Sequence, residues 1–260
     1  PKAILSVHCN PHEYNRYEST LVRWLYPRAQ HIVAVSEDVA SLLRDEFQLK
    51  KVSRIYNLVS FEEVQKAGKE AYEHERPYIL ALGRLSEIKC LDVLIDAYAA
   101  STLKHECDLL IVGEGDQRDK LEAQIQSLGL QGKVILTGSK SNPFQYVKGA
   151  EFLVLSSRSE AFPMVLIEAL ALSCPVVATD CPTGPREIVI NNENGLLVEN
   201  QNTEALSAAI DQLFSDKPLL SHCRENAFQS IQHLAADRLV REWLALNTLK
   251  SESKQVLTAR

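Results

Sequence analysis

The sequence predicts an α/β fold built on a parallel sheet with helices on both faces. Two observations carry this. From residue 78 onward, short apolar, β-rich runs alternate with helical patterns. Those runs are apolar along their length, as in strands buried on both faces. Composition agrees with a packed globular chain: 45% of residues are apolar and 24% charged. In such a sheet, ligands sit beyond the C-terminal ends of the strands. Functional residues are therefore expected just after each strand.

The expected strands are 78–82, 108–112, 133–137, 152–156, 176–179 and 196–198. Helix 91–100 places Leu91, Leu94, Ile95 and Tyr98 at i, i+3, i+4 and i+7. Helix 117–128 follows Asp116, a residue suited to capping, with Leu121, Ile125 and Leu128 on one face. Segment 162–172 is apolar nearly all round and should be buried. Helix 203–214 starts at a cap signal, Asn202-Thr203, and carries Leu206, Ile210 and Leu213. Before residue 61 the pattern holds three strands (3–7, 31–35, 52–55) and two helices. These are 17–26 and a helix capped by Ser36 that runs to 47.

These elements divide the chain into four parts. Residues 1–60 read as the C-terminal remnant of one Rossmann-like domain, and 61–76 as a polar linker with some helix. Residues 77–235 make one complete domain. Residues 236–260 form a cross-over helix and a tail, which should fray after Asn247. The chain starts at Pro1 and its one Met is Met164. It is therefore expected to be a piece of a longer protein.

Several classes are set aside. No apolar run reaches the ~18 residues of a membrane span. The 260 residues carry 28 Lys and Arg against 34 Asp and Glu, a net charge of −6, unlike a nucleic-acid binder. Six Cys show no CxxC and no zinc-finger spacing, which fits free thiols in a reducing cytoplasm.

Five motifs bear chemistry. Gly83-Arg84-Leu85-Ser86-Glu87-Ile88-Lys89 follows a strand and offers two cations to a diphosphate. A turn glycine with two solvated basic residues explains it equally well. Gly113-Glu114-Gly115 lacks the third glycine of a dinucleotide loop and reads more simply as a tight turn. Ser157–Pro163 leads into an apolar helix, with Pro163 at its first position. The amides of Ala161 to Val165 would make an anion site there. Glu168 inside that helix needs a partner, for which ribose hydroxyls or a buried cation would serve. Eight helical residues would set Glu160 and Glu168 about 12 Å apart, too far for a glycosidase pair. Asp180–Val189 reads as a turn beside the site, with Cys181 no nucleophile because Asp180 would raise its pKa. His8 and His12 flank Pro11, which leaves a shared metal face unsecured.

Together these residues resemble the retaining, nucleotide-sugar-dependent glycosyltransferases of family 4, which have the GT-B fold. The resemblance rests on Gly83-Arg84-Leu85 with Lys89, Gly113-Glu114-Gly115, and Glu160-x7-Glu168. Gly184-Pro185-Arg186-Glu187-Ile188-Val189 and Asn194-Gly195-Leu196-Leu197-Val198 extend it. It implies a GT-B donor-binding domain preceded by the end of the acceptor domain. It implies that Arg84 and Lys89 hold the donor diphosphate and stabilise the leaving group. Glu160 would bind hydroxyls of the transferred sugar, Glu168 those of the ribose, and His8 would contact the donor sugar. Gly83 and the amides of Ala161, Phe162, Pro163, Met164 and Val165 would line the phosphates and sugar. Gly138, Ser139 and Lys140, after their strand, would face the base.

The implied reaction moves a sugar, from a UDP-sugar by preference, to a glycan or lipid-linked saccharide with retention. No metal and no further cofactor is implied. Peripheral membrane association would run through the missing acceptor part, on the cytoplasmic side. A catalytically inactive nucleotide-sugar-binding module is the alternative. An epimerase or a phosphorylase-like enzyme is a weaker one.

Overall fold

The computed structural model describes residues 3–257, with side chains through residue 246. It contains two parallel sheets. The first holds β1 (Ile4–Val7), β2 (His31–Ala34) and β3 (Val52–Arg54), connected through α1 (Arg16–Leu25) and α2 (Glu37–Asp45). Then α3 (Phe61–Ala67) leads to the second sheet. That sheet is built from β4 (Tyr78–Leu82), α4 (Leu91–Ala100), β5 (Asp108–Val112), α5 (Arg118–Ser127), β6 (Val134–Gly138) and α6 (Phe144–Gly149). It continues with β7 (Leu153–Leu155), α7 (Met164–Ala171), β8 (Val176–Thr179), α8 (Pro185–Ile188) and β9 (Gly195–Val198). Helices α9 (Thr203–Ser215), α10 (Lys217–Ser230) and α11 (Ala236–Leu257) complete the chain.

The six-stranded sheet has the order β6-β5-β4-β7-β8-β9. The strand order reverses between β4 and β7, which pair parallel, and this opens a crevice at the strand ends there. Alternation along the strands separates two cores. Leu80, Leu110, Leu153 and Val176 pack on one face; Ile79, Leu109, Val154 and Val177 pack on the other. Each such side chain contributes about 1.5–3 kcal/mol by leaving water. Leu91, Leu94, Ile95 and Tyr98 are all buried, as the spacing of α4 requires.

Local chemistry sets the helix starts. The Ser36 hydroxyl accepts the Val39 N–H, and the Asn202 side chain accepts that of Ala205. Other expectations are corrected. Helix α5 starts at Arg118 behind Gln117, and Asp116 does not cap it. The Arg118 guanidinium instead ties Glu114 and Glu122, each at 2.9 Å. Strand β6 starts one residue late because Lys133 N–H still closes a turn onto the Leu130 carbonyl. Gly138 therefore ends that strand instead of following it. Pro163 is the residue before α7, with an extended ψ of 96°. The tail expected to fray continues as α11 to Leu257, and 258–260 lie outside the described residues.

The two sheets are joined by side chains. The Tyr56 ring stacks on Phe162 with centroids 4.7 Å apart, and Arg54 lies 4.1 Å over Tyr56. Arg54 also meets Glu242 of α11 at 3.7 Å. No helix among the described residues is long and apolar enough to cross a membrane.

Candidate functional site

The site forms where the loops after β4 and β7 meet, on either side of the reversal. Lys89 ends a 3-10 turn, and its Nζ lies 2.6 Å from Glu160 Oε1. The Ser157 hydroxyl donates to the same oxygen at 2.6 Å. Backbone contacts fix both partners. The Ser156 hydroxyl donates to the Lys89 carbonyl at 2.8 Å, and Arg158 N–H donates to the Ile88 carbonyl at 2.9 Å. Glu160 N–H donates to the Pro182 carbonyl, and Thr183 N–H donates back to the Glu160 carbonyl, both at 2.8 Å. The Lys89 and Glu160 side chains are 25% and 12% exposed. Glu160 Oε2 makes no hydrogen bond among the described residues. The pair is thus rigid, half-desolvated and still able to accept a hydroxyl.

Arg84 is exposed beside this pair and has no ion-pair partner among the described residues. With Gly83 it lines two adjoining cavities. One, of about 320 Å³, runs to Glu114, Ser139 and Lys140. The other runs to Lys89 and Ser157. A Cβ on Gly83 would approach only Lys89 Cε, at 3.8 Å, so the backbone there lies open to the lysine. Gly113 differs: a Cβ on it would fall 1.8 Å from the Gly83 carbonyl oxygen. It is glycine so that two loops can touch, and with Glu114 it also lines the cavity that runs to Ser139 and Lys140.

Helix α7 aims its N-terminus at the same crevice. The N–H groups of Ala161, Phe162, Met164 and Val165 make no hydrogen bond among the described residues. They form a positive, donor-rich end suited to an anion. Pro163 has no N–H and cannot take part as a donor, against the expectation for it. Glu168 lies one turn further on. It has no hydrogen-bond or ion-pair partner among the described residues, and burial alone lifts its pKa. The buried cation considered for it is not there. Because α7 begins at Met164, Glu160 is not on the helix, and the 12 Å estimate built on a continuous helix does not apply.

His8 stands exposed at the end of β1, with Nε2 2.8 Å from the Ser6 hydroxyl. The contact with the site loops is made instead by Asn10, which is buried. Its amide donates to Ser159 Oγ at 2.9 Å and to the Pro182 carbonyl at 3.3 Å. The Ser159 hydroxyl in turn bonds Glu13. Sequence reasoning missed Asn10, Glu13 and Ser157 as site residues; the only signal is their place just after β1 and β7. His12 pairs with Glu46 at 2.8 Å. Cys181 is buried and its thiol is pushed up to about 12, first by burial and then by the charge of Glu160. Asp180 is not the cause, because its carboxylate is held by Arg186 through two 2.9 Å bonds.

The family described as Glycosyl transferases group 1 matches residues 63–230, the six-stranded sheet and its helices. The chain belongs to that family. The glycosyltransferase family 4 description matches residues 1–63. A Campylobacter jejuni relative is 37% identical over 201 residues, covering 76% of this chain and 54% of its own length. It is named N-acetylgalactosamine-N,N'-diacetylbacillosaminyl-diphospho-undecaprenol 4-alpha-N-acetylgalactosaminyltransferase. The amylovoran biosynthesis glycosyltransferase AmsD of Erwinia amylovora is 27% identical, covering 84% of this chain and 62% of its own. The chain thus spans between half and two thirds of the length of these relatives. Anabaena HepE, solved with UDP-glucose, superposes with a TM-score of 0.84 at 22% identity, covering 96% of this chain and 72% of that one. Staphylococcus aureus TarM superposes at 0.83 with 22% identity, covering 94% and 50%. These likenesses establish the group 1 family's GT-B architecture for the fold.

Proposed function

We propose that this chain binds the nucleotide-sugar donor of a retaining glycosyltransferase. The observation that carries it is the convergence of Arg84, Lys89 and Glu160 at the sheet reversal, against the open N-terminus of α7. The diphosphate lies between Arg84, Lys89 and the amides of Ala161, Phe162, Met164 and Val165. The base extends into the cavity beside Ser139 and Lys140. Glu168 accepts ribose hydroxyls, which supply the partner it lacks. Glu160 Oε2 accepts hydroxyls of the sugar, while Oε1 stays with Lys89 and Ser157. His8 approaches the sugar from the first sheet.

In the reaction, the bond from the anomeric carbon to the donor phosphate oxygen breaks. Arg84, Lys89 and the helix end stabilise the charge that gathers on the diphosphate. The acceptor hydroxyl attacks on the face the diphosphate leaves, and its proton passes to the departing phosphate oxygen. Configuration is retained. The two cations supply the positive charge for which a metal would otherwise serve. We read the donor as a UDP-sugar and the acceptor as a glycan or lipid-linked saccharide. The diphospho-undecaprenol in the Campylobacter relative's name and the amylovoran biosynthesis in AmsD's name support the acceptor reading. Such an acceptor would place the protein at the cytoplasmic face of a membrane.

The test is transfer by the intact protein, with NMR of the product's anomeric centre. Retention with loss of turnover in Glu160→Ala is expected. An inverted product, or unchanged turnover in that variant, refutes the assignment.

A further inference from the structure

We propose that Glu187 is a positioning residue, which fixes the three-stranded sheet against the loops that carry Glu160. The inference rests on the donor-site reading. Glu187 lies on α8, beyond β8 in the six-stranded body. Its carboxylate reaches the first turn of α2 in the other body. Oε2 accepts the Glu37 N–H at 2.8 Å, and Oε1 accepts the Asp38 N–H at 3.0 Å. The Tyr56 hydroxyl adds a third bond to Oε2 at 3.1 Å. These two amides are among the donors a helix start leaves without intrahelical partners. Ser36 already serves Val39, so the remaining pair awaits an external acceptor. A carboxylate at that end is also favoured by the helix dipole.

The neighbouring charges are arranged so as not to repel it. The Glu37 carboxylate is held by Arg44 at 2.7 Å. The Asp38 carboxylate accepts the Gly184 N–H at 3.2 Å, a return contact from body to body. Tyr56, which shares the contact, has its pKa pushed up to about 12, first by burial and then by Glu187.

The link to the site runs through one short loop. Gly184 comes directly after Pro182 and Thr183, the residues that hold the Glu160 backbone. Pro182 also accepts from Asn10, on the segment after His8. A first body released at α2 would turn about Asn10. The segment after β1 would then shift against Ser159 and Pro182, which flank Glu160 in the chain and in its backbone hydrogen bonds. Misplacement of this kind lowers turnover without loosening the donor.

Glu187→Gln tests this, because an amide of the same shape cannot accept both α2 N–H groups. In the 260-residue chain, hydrogen exchange at the amides of Glu37 and Asp38 should accelerate about tenfold or more. UDP affinity should stay within about twofold of wild type. In the intact protein, kcat should fall about tenfold with donor KM nearly unchanged. Tyr56→Phe, a milder change, should move exchange and kcat in the same direction by less. Unchanged exchange in Glu187→Gln, or a loss carried by donor KM alone, overturns the proposal. Exchange does not depend on the donor. A wild-type chain that fails to bind UDP therefore sinks the donor reading, while exchange still decides whether Glu187 holds the two bodies.

Discussion

Replacing Lys89 by Met strands the Glu160 carboxylate. That side chain is only 12% exposed and keeps one partner, the Ser157 hydroxyl. Removing one member of a fully buried ion pair costs about 3–5 kcal/mol. Lys89 is 25% exposed, so solvent already screens the pair, and about 1–3 kcal/mol is expected. For a chain of this size each kcal/mol moves Tm by about 2–4 °C. Lys89→Met should therefore melt roughly 2–12 °C below wild type. Adding Glu160→Gln removes the stranded charge, and the double variant should regain most of the loss. On the proposed donor site, Lys89→Met also removes a charge-assisted contact to the diphosphate, a loss of about 1.5–3 kcal/mol. Kd for UDP should rise about 10- to 150-fold. Thermal melts and calorimetry on wild type, both single variants and the double variant read all of this. A double variant no more stable than Lys89→Met would refute the stranded-charge reasoning. Unchanged UDP affinity in Lys89→Met would remove the lysine from the donor site.

Three further outcomes rest on the same geometry. Arg84→Ala should weaken UDP by about tenfold or more while leaving Tm in place, since Arg84 is exposed and unpaired among the described residues. A lowered Tm with unchanged affinity would contradict this. Glu168 is held above the ordinary carboxylate pKa by burial, so the folded chain binds its proton more tightly than the unfolded chain. That contribution to stability is full below the ordinary value of 4.5 and is lost as pH rises through the raised value. Glu168→Gln should remove the fall, gaining stability near neutrality in a melt series across pH, while weakening UDP. A parallel pH profile would refute the assignment. Gly113→Ala would set a Cβ 1.8 Å from the Gly83 carbonyl oxygen and should cost about 3 kcal/mol or more in denaturant melts. An unshifted midpoint would show that the two loops can separate.

The six-stranded sheet was legible because its strands are buried on both faces and read as apolar runs. Helix α4 was legible because each residue of its predicted stripe packs inward. Where expectation failed, a local turn decided. Gln117, Lys133 and Pro163 each sit at a boundary set by local backbone geometry, which periodicity does not encode. Arg84, Lys89 and Glu160 stood out as candidates because they come after strands, at the C-terminal edge of the sheet. That Lys89 meets Glu160 could not be read, because they are 71 residues apart and converge only where the strand order reverses. Asn10 and Glu187 were missed as contacts for the same reason: each acts between two sheets far apart in sequence.

Calorimetry of the chain with UDP, GDP and ADP tests the central claim most directly. The account predicts saturable binding of UDP at one site, weakened in Arg84→Ala and in Lys89→Met. Failure to bind any of the three, or equal binding by wild type and both variants, would contradict it.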